Sequence, residues 1–199
     1  MIDAQGEDII REIINIGIGD AAAALSDLAG TRVIIRTPDV MFLDIAVVPA
    51  YIRREVGTVG VYISQDFHGS VDGRALLFYT TECSVSLLRA ILKDGRKRGT
   101  SLSKTDMATL QEIGNIILGA CLATIGNFIE GRFRFSMPHV TLEISETYFR
   151  NLIRELESFE KAVVLKTAIT IEADDIQGYL FFLLSFQDFH NLVGRLTAL

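Results

Sequence analysis

The chain is poor in the residues that build many enzyme centres. Its 199 residues include two cysteines, Cys83 and Cys121, in unrelated local settings, and neither has the CxxC or Cys/His spacing of a zinc or redox site. They read as a pair of buried free thiols, since a disulfide is disfavoured in a reducing compartment. The three histidines, His68, His139 and His190, are dispersed and have no acidic cluster beside them in sequence, which argues against a metal site. There is no nucleophile elbow, phosphate-binding loop or dinucleotide fingerprint; Gly17-Ile18-Gly19 lacks the preceding strand that such a turn requires and reads as close helix packing. Positive charge is also scarce. Nineteen Lys and Arg against 25 Asp and Glu leave a net charge of -6, and Lys93, Arg96, Lys97 and Arg98 form only a short basic loop, which argues against a nucleic-acid partner. Mean hydropathy is high, +0.34, yet the longest apolar stretch, Tyr179 to Leu184, is far below the ~20 residues that a membrane span needs. The excess hydrophobicity therefore belongs to buried strands and helices. The first eight residues are acidic and polar, with no export pattern, so the expected location is cytoplasmic.

What the chain does have is said twice. Glu12-x-x-Asn15 is followed by Pro38, and one hundred residues later Glu112-x-x-Asn115 is followed by Pro138, with the same gap of 22 residues between asparagine and proline. A lone Glu-x-x-Asn is common on helices; a second copy in the same register beside a matched landmark indicates an internal duplication. Thr31 to Thr37 has its counterpart in Gly131 to Met137, and Val56 to Ser64 in Ala162 to Thr170. Gly73 with Ala75 to Tyr79 answers Gly178 with Leu180 to Leu184, at an offset that has grown to 105. The extra residues are expected as an insertion in Glu146 to Ser158, which has helical spacing of Phe149, Leu152, Ile153 and Leu156.

A first helix is expected from Asp3 or Glu7 to near Leu28, stopped by Ala29-Gly30. Its apolar residues Ile9, Ile10, Ile13, Ile14, Ile16, Leu25 and Leu28 make a broad stripe, while Asp8, Glu12 and Asn15, at i, i+4 and i+7, make a polar ridge. The second helix begins at a capping box, Ser103 to Asp106, and buries Leu110, Ile113, Ile116, Ile117, Ala120 and Cys121, with Glu112 and Asn115 opposite. Each half then runs through β-branched or aromatic stretches and closes with a strand and an amphipathic helix. Pro38 and Pro138 are expected to end a strand and steer the chain, and Asp39 and His139 to lie in loops. The class is α+β: one pseudo-two-fold duplicated domain over 1–199, with repeats of about 1–99 and 100–199, an antiparallel sheet and two long motif-bearing helices.

A carboxylate and an amide one turn apart suit positioning. Asparagine is no general base near neutral pH, but its amide donates and accepts hydrogen bonds and so can hold a water. The glutamate supplies a fixed charge for a partner's lysine or arginine. Positioning counts most where the reaction is intrinsically easy and the remaining apparatus lies on another protein, as in hydrolysis of a labile phosphoryl group held with Mg²⁺ by the partner.

The pattern D-x-x-x-E-x-x-N, 22 residues, then P, with N-I-G-x-G after Asn15 and E-I-G-N in the second copy, resembles the CheC/CheX/FliY phosphatases of chemotaxis, and its two-copy form resembles the CheC branch. The resemblance spans nearly the whole chain. It implies a hydrolase that removes the aspartyl phosphate of CheY, a chemotaxis response regulator. Asn15 and Asn115 would orient the attacking water, and Glu12 and Glu112 would dock on a lysine of the regulator. No cofactor would be bound by this chain; Mg²⁺ would sit on the regulator. CheD, a receptor-modifying deamidase, is implied as a second partner.

Three positions depart from the family pattern. Ile14 stands where glycine is usual, Asp20 where asparagine is usual, and Ala108 where Asp or Ser is usual, whereas Gly114 is kept. Ile14 either hinders close approach of the regulator or lies on the buried side. The intact E-I-G-N favours the second copy as the better site. A different class of function is a non-enzymatic adaptor that binds a response regulator or CheD, with turnover lowered by the substitutions at Ile14 and Ala108.

Overall fold

Apolar residues at helical spacing build two long helices that lie on one face of an antiparallel sheet. In a computed structural model of the chain, the described residues are 4–55, 59–93, 101–155, 161–171 and 174–196. In chain order the elements are α1 (Ala4–Ala29), β1 (Val33–Asp44), α2 (Val48–Glu55), β2 (Val59–Gly69), β3 (Gly73–Thr80), α3 (Thr81–Leu92), α4 (Lys104–Phe128), β4 (Phe133–Phe135), β5 (His139–Ile144), α5 (Ser145–Glu155), β6 (Lys161–Ile171), β7 (Asp174–Leu184) and α6 (Phe186–Leu196). Ser103 caps α4 through the expected box: its hydroxyl accepts from the Asp106 amide and the Asp106 carboxylate accepts from the Ser103 amide. Gly30, at φ +59°, turns the chain out of α1 in the left-handed region.

Seven strands make one sheet in the order β1-β6-β7-β3-β2-β4, with β5 also paired to β2. The central neighbours are β7 and β3, with Leu76 opposite Phe181. Hairpin partners β6 and β2 flank them, and each outer position is filled by a strand that follows a long helix. Thus β1, from the first half, pairs with β6 of the second, while β5, from the second half, pairs with β2 of the first.

Alternation along the strands divides the core into two. Val61, Ile63 and Phe67 of β2, Ala75 and Leu77 of β3, and Leu180 and Phe182 of β7 meet the apolar sides of α1, α3, α4 and α6. Tyr62, Leu76, Phe78 and Phe181 face the other way, onto Val48 of α2 and Phe149 and Leu152 of α5. Burying Ile10, Ile13, Ile14, Ile18 and Leu25, all nearly inaccessible, contributes about 1.5–3 kcal/mol per side chain, far more than helix propensity supplies.

Several sequence expectations are corrected. Helix α5 is no insertion: the first half has its own helix, α2, in the corresponding place, and the two touch on the rear face of the sheet. With the 3-10 turn Ile45–Val47 before it, α2 completes a segment of the same length as α5, 45–55 against 145–155, so the extra residues lie further along the chain. Strand β1 runs through Pro38, which falls within a register shift between Arg36 and Asp39, so the missing donor is absorbed as a bulge. Pro138 does separate two strands, β4 and β5. Asp39 and His139 lie on strands, paired with Lys166 and Ser64. Strand β2 begins at Val59, residues 56–58 lying outside the described ones. Cys83 is only partly buried, unlike Cys121.

Gly17 and Gly19 also part company. A Cβ on Gly17 would come 2.8 Å from the Cys121 Cα, backbone that cannot yield without moving a helix, whereas nothing lies within 4 Å of a Cβ on Gly19. Gly17→Ala is therefore expected to destabilise the fold by about 1–3 kcal/mol. Gly19→Ala should stabilise it by about 0.5–1 kcal/mol through helix propensity. Urea unfolding of the two variants checks the contrast; equal effects would contradict the close helix contact.

Candidate functional site

The four motif residues reach solvent because the stripe that anchors each helix lies on its opposite side. On α1, Ile10, Ile13, Ile14, Gly17 and Ile18 are buried, and Asp8, Glu12 and Asn15 are exposed. On α4, Leu110, Ile113, Gly114, Ile117 and Leu118 are buried, and Ala108, Glu112 and Asn115 are exposed. Both ridges point away from the sheet, since Ile13 and Ile113 enter the same core beneath them. Glu and Asn, three residues apart, share one side of each helix.

The residue between them decides how closely each helix sits. A Cβ on Gly114 would come 2.5 Å from Ile63 Cγ2, so α4 rests directly on β2. Ile14, the counterpart in α1, is 2 % exposed and fills the core instead. Its side chain therefore does not stand in front of the first ridge. It helps line a small apolar hollow of about 20 Å³ with Phe67, Leu122 and Ile125, whose side chains offer a water no hydrogen-bond partner.

The helices run antiparallel. The start of α1 (Ile10, Ile13) shares that hollow with the end of α4 (Leu122, Ile125), and Leu28 near the end of α1 borders a depression with Thr105 and Glu112 near the start of α4. Between the ridges the helices are tied by the Thr124 hydroxyl, which donates to Asp20 Oδ2 at 3.2 Å. Asp20, noted in the sequence as a departure, thus joins the helices, a role that needed the position of Thr124 to be seen. Asn15 precedes the Gly17–Cys121 contact by two residues and Asn115 precedes it by six, in opposite directions along the pair. At 1.5 Å per residue this separates the two asparagines by about 12 Å along the axes. With a helix spacing of 8–10 Å, they are about 15 Å apart.

The surroundings of the ridges differ. Beside Glu112 is an open depression of about 330 Å³ lined by Leu28, Ile91, Leu92, Ala108 and Thr109, with Leu28 47 % and Leu92 44 % exposed. Sequence reasoning missed it: Leu28 and Ile16, expected in the apolar stripe of the first helix, are exposed instead. The first ridge carries Asp8 where the second has Ala108, and the exposed side of α1 also presents Asp20 and Asp27. Among the described residues, no three His, Cys, Asp or Glu converge as a metal site. Helix α4 is the one described helix long and apolar enough to cross a membrane, but its apolar side packs on the sheet.

A two-helix face on an antiparallel sheet thus carries the paired Glu/Asn ridges. The sequence model of the CheC-like family matches residues 6–42, which hold the first motif through Pro38. The chain is 22 % identical over 197 residues to the CheY-P phosphatase CheC of Bacillus subtilis, covering 96 % of this chain and 93 % of that one. It is 25 % identical over 174 residues to the flagellar motor switch phosphatase FliY of the same organism, covering 86 % of this chain but 45 % of FliY. The crystal structure of Thermotoga maritima FliY superposes with a TM-score of 0.83 at 17 % identity, covering 100 % of this chain and 98 % of that one. The chain is thus similar to CheC and FliY proteins in sequence along most of its length, and to FliY in fold.

The thiols report on the helix pair. Burial, with the nearby Asp20 carboxylate adding to it, pushes Cys121 up to about 12. An unfolded thiol ionises near ~8.5, so any stability linked to Cys121 is complete below that pH and is lost as pH rises from there towards the folded value. In the native protein a thiol reagent at pH 8 is expected to label Cys83 first and Cys121 only on unfolding. Equal labelling rates would contradict the packing of α1 on α4.

Proposed function

We propose that the chain is a cytoplasmic phosphatase that hydrolyses the aspartyl phosphate of a CheY-type response regulator, using two repeats of about 1–99 and 100–199 within one domain. The observation that carries this reading is the exposure of both Glu/Asn pairs in the same register on one outer face, each backed by a buried stripe. The palindromic strand order, in which each half lends its outer strand to the other half's hairpin, supports the two repeats. The name of the CheC relative, a CheY-P phosphatase, supports the substrate.

In this mechanism the chain inserts a ridge into the regulator's phosphorylation site. Glu12 or Glu112 pairs with a lysine there and fixes the approach. The Asn15 or Asn115 amide then holds a water in line with the phosphorus, accepting from it and donating to a neighbouring oxygen, which turns a random encounter into an oriented one. Mg²⁺ on the regulator would neutralise charge on the phosphoryl group as it passes to water and the aspartate leaves as a carboxylate. No proton acceptor on this chain is required, in keeping with a ridge that offers an amide and a carboxylate one turn apart. A receptor deamidase of the CheD type is the second partner that accompanies this reading.

The adaptor reading drew on the substitutions at Ile14 and Ala108. Ile14 is buried, which removes the first ground; Ala108 is exposed beside an otherwise intact Glu112/Asn115 pair, and the phosphatase reading is preferred. Phosphate release from phosphorylated CheY of the same organism tests it. Asn15→Ala together with Asn115→Ala is expected to reduce the acceleration by about 10²–10³-fold, the scale for losing a positioned transition-state group, while the fold is kept. Each single variant should retain part of the activity. Full activity in the double variant would overturn the assignment; no acceleration by the native protein would favour the adaptor.

A further inference from the structure

We infer that the two ridges serve one response regulator at a time, so that the chain has two seats but a capacity of one. The inference rests on the phosphatase reading and concerns the occupancy of the same site. Both ridges open on one surface, because α1 and α4 lie side by side over a common core. The antiparallel contact at Gly17 and Cys121, fixed by the Thr124–Asp20 hydrogen bond, holds their asparagines about 15 Å apart.

That spacing is small beside any protein footprint. A transient interface at the low end of the usual range covers about 600 Å² on each partner, equivalent to a disc of radius about 14 Å. Two such discs centred on the two asparagines would share about a third of their area. The bulk of the partner makes matters worse. A domain of about 100 residues has a radius of gyration near 13 Å, equivalent to a sphere of radius about 17 Å, so two of them need centres about 34 Å apart. Seating both would tilt each by about 10 Å away from its ridge, whereas a misplacement of about 1 Å is enough to cost a positioned group most of its effect. The depression beside Glu112 points the same way: Leu28 of α1 forms part of its wall, so an occupant of the second ridge rests on both helices.

The two ridges are therefore alternatives. The second offers an apolar wall, Leu28, Leu92 and Ala108, and the first a more acidic surface, with Asp8. Unequal affinities would decide which seat is used, without changing the number bound.

Sedimentation velocity of the full chain with excess beryllofluoride-activated CheY-type regulator tests this, using the native protein, Glu12→Arg, Glu112→Arg and the double charge reversal. One regulator per chain is expected at saturation for the native protein and for each single variant, which lose a seat and weaken in affinity but keep the ratio, with loss of binding only in the double variant. Two regulators on the native chain, falling to one in each single variant, would overturn the inference while leaving the phosphatase reading intact. No complex with any of the four would instead remove that reading, and the inference with it.

Discussion

The seating of α1 against α4 is the constraint on which the rest depends. The absence of a side chain at Gly17 lets the helices approach until a Cβ there would meet the backbone of Cys121. Gly114 lets α4 settle on Ile63 of the sheet in the same way. These contacts fix the rotation of each helix about its axis, and rotation is what brings Glu12, Asn15, Glu112 and Asn115 to the outside. A turn of about 100° either way would move an asparagine to the flank of its helix or towards the core. The polar ridge is thus a consequence of apolar packing on the opposite side.

The sheet makes that packing stable. Its strands bury both faces, one under the helix pair and one under α2 and α5. The crossed arrangement of its outer strands means that neither half completes its share of the sheet alone, since β1 has its partner in β6 and β5 in β2. Folding of each half is therefore tied to folding of the other, and the two ridges are held in one frame.

Much of this was legible in the sequence because its signals are local. The capping box at Ser103, the stop at Gly30 and the helical spacing of the isoleucines fix α1 and α4 without tertiary knowledge, and the repeated Glu-x-x-Asn then falls on their polar sides. What escaped needed partners distant in sequence. The bulge that carries β1 past Pro38 depends on its pairing with β6. Helix α2 is short, 8 residues, and packs through Val48 into the rear core, a signal too brief to stand out among strands. The burial of Ile14, left open between two alternatives, was settled by the core around α1. The depression beside Glu112 unites residues from α1, α3 and α4, and no linear pattern contains it.

The most direct test of the account is a crystal structure of the chain bound to a beryllofluoride-activated CheY-type regulator. The account predicts Asn15 or Asn115 inside the regulator's phosphorylation site, its amide within hydrogen-bond reach of a water in line with the beryllium, and the adjoining glutamate on a regulator lysine. A regulator seated on the α2/α5 face instead, with both asparagines in solvent, would contradict it.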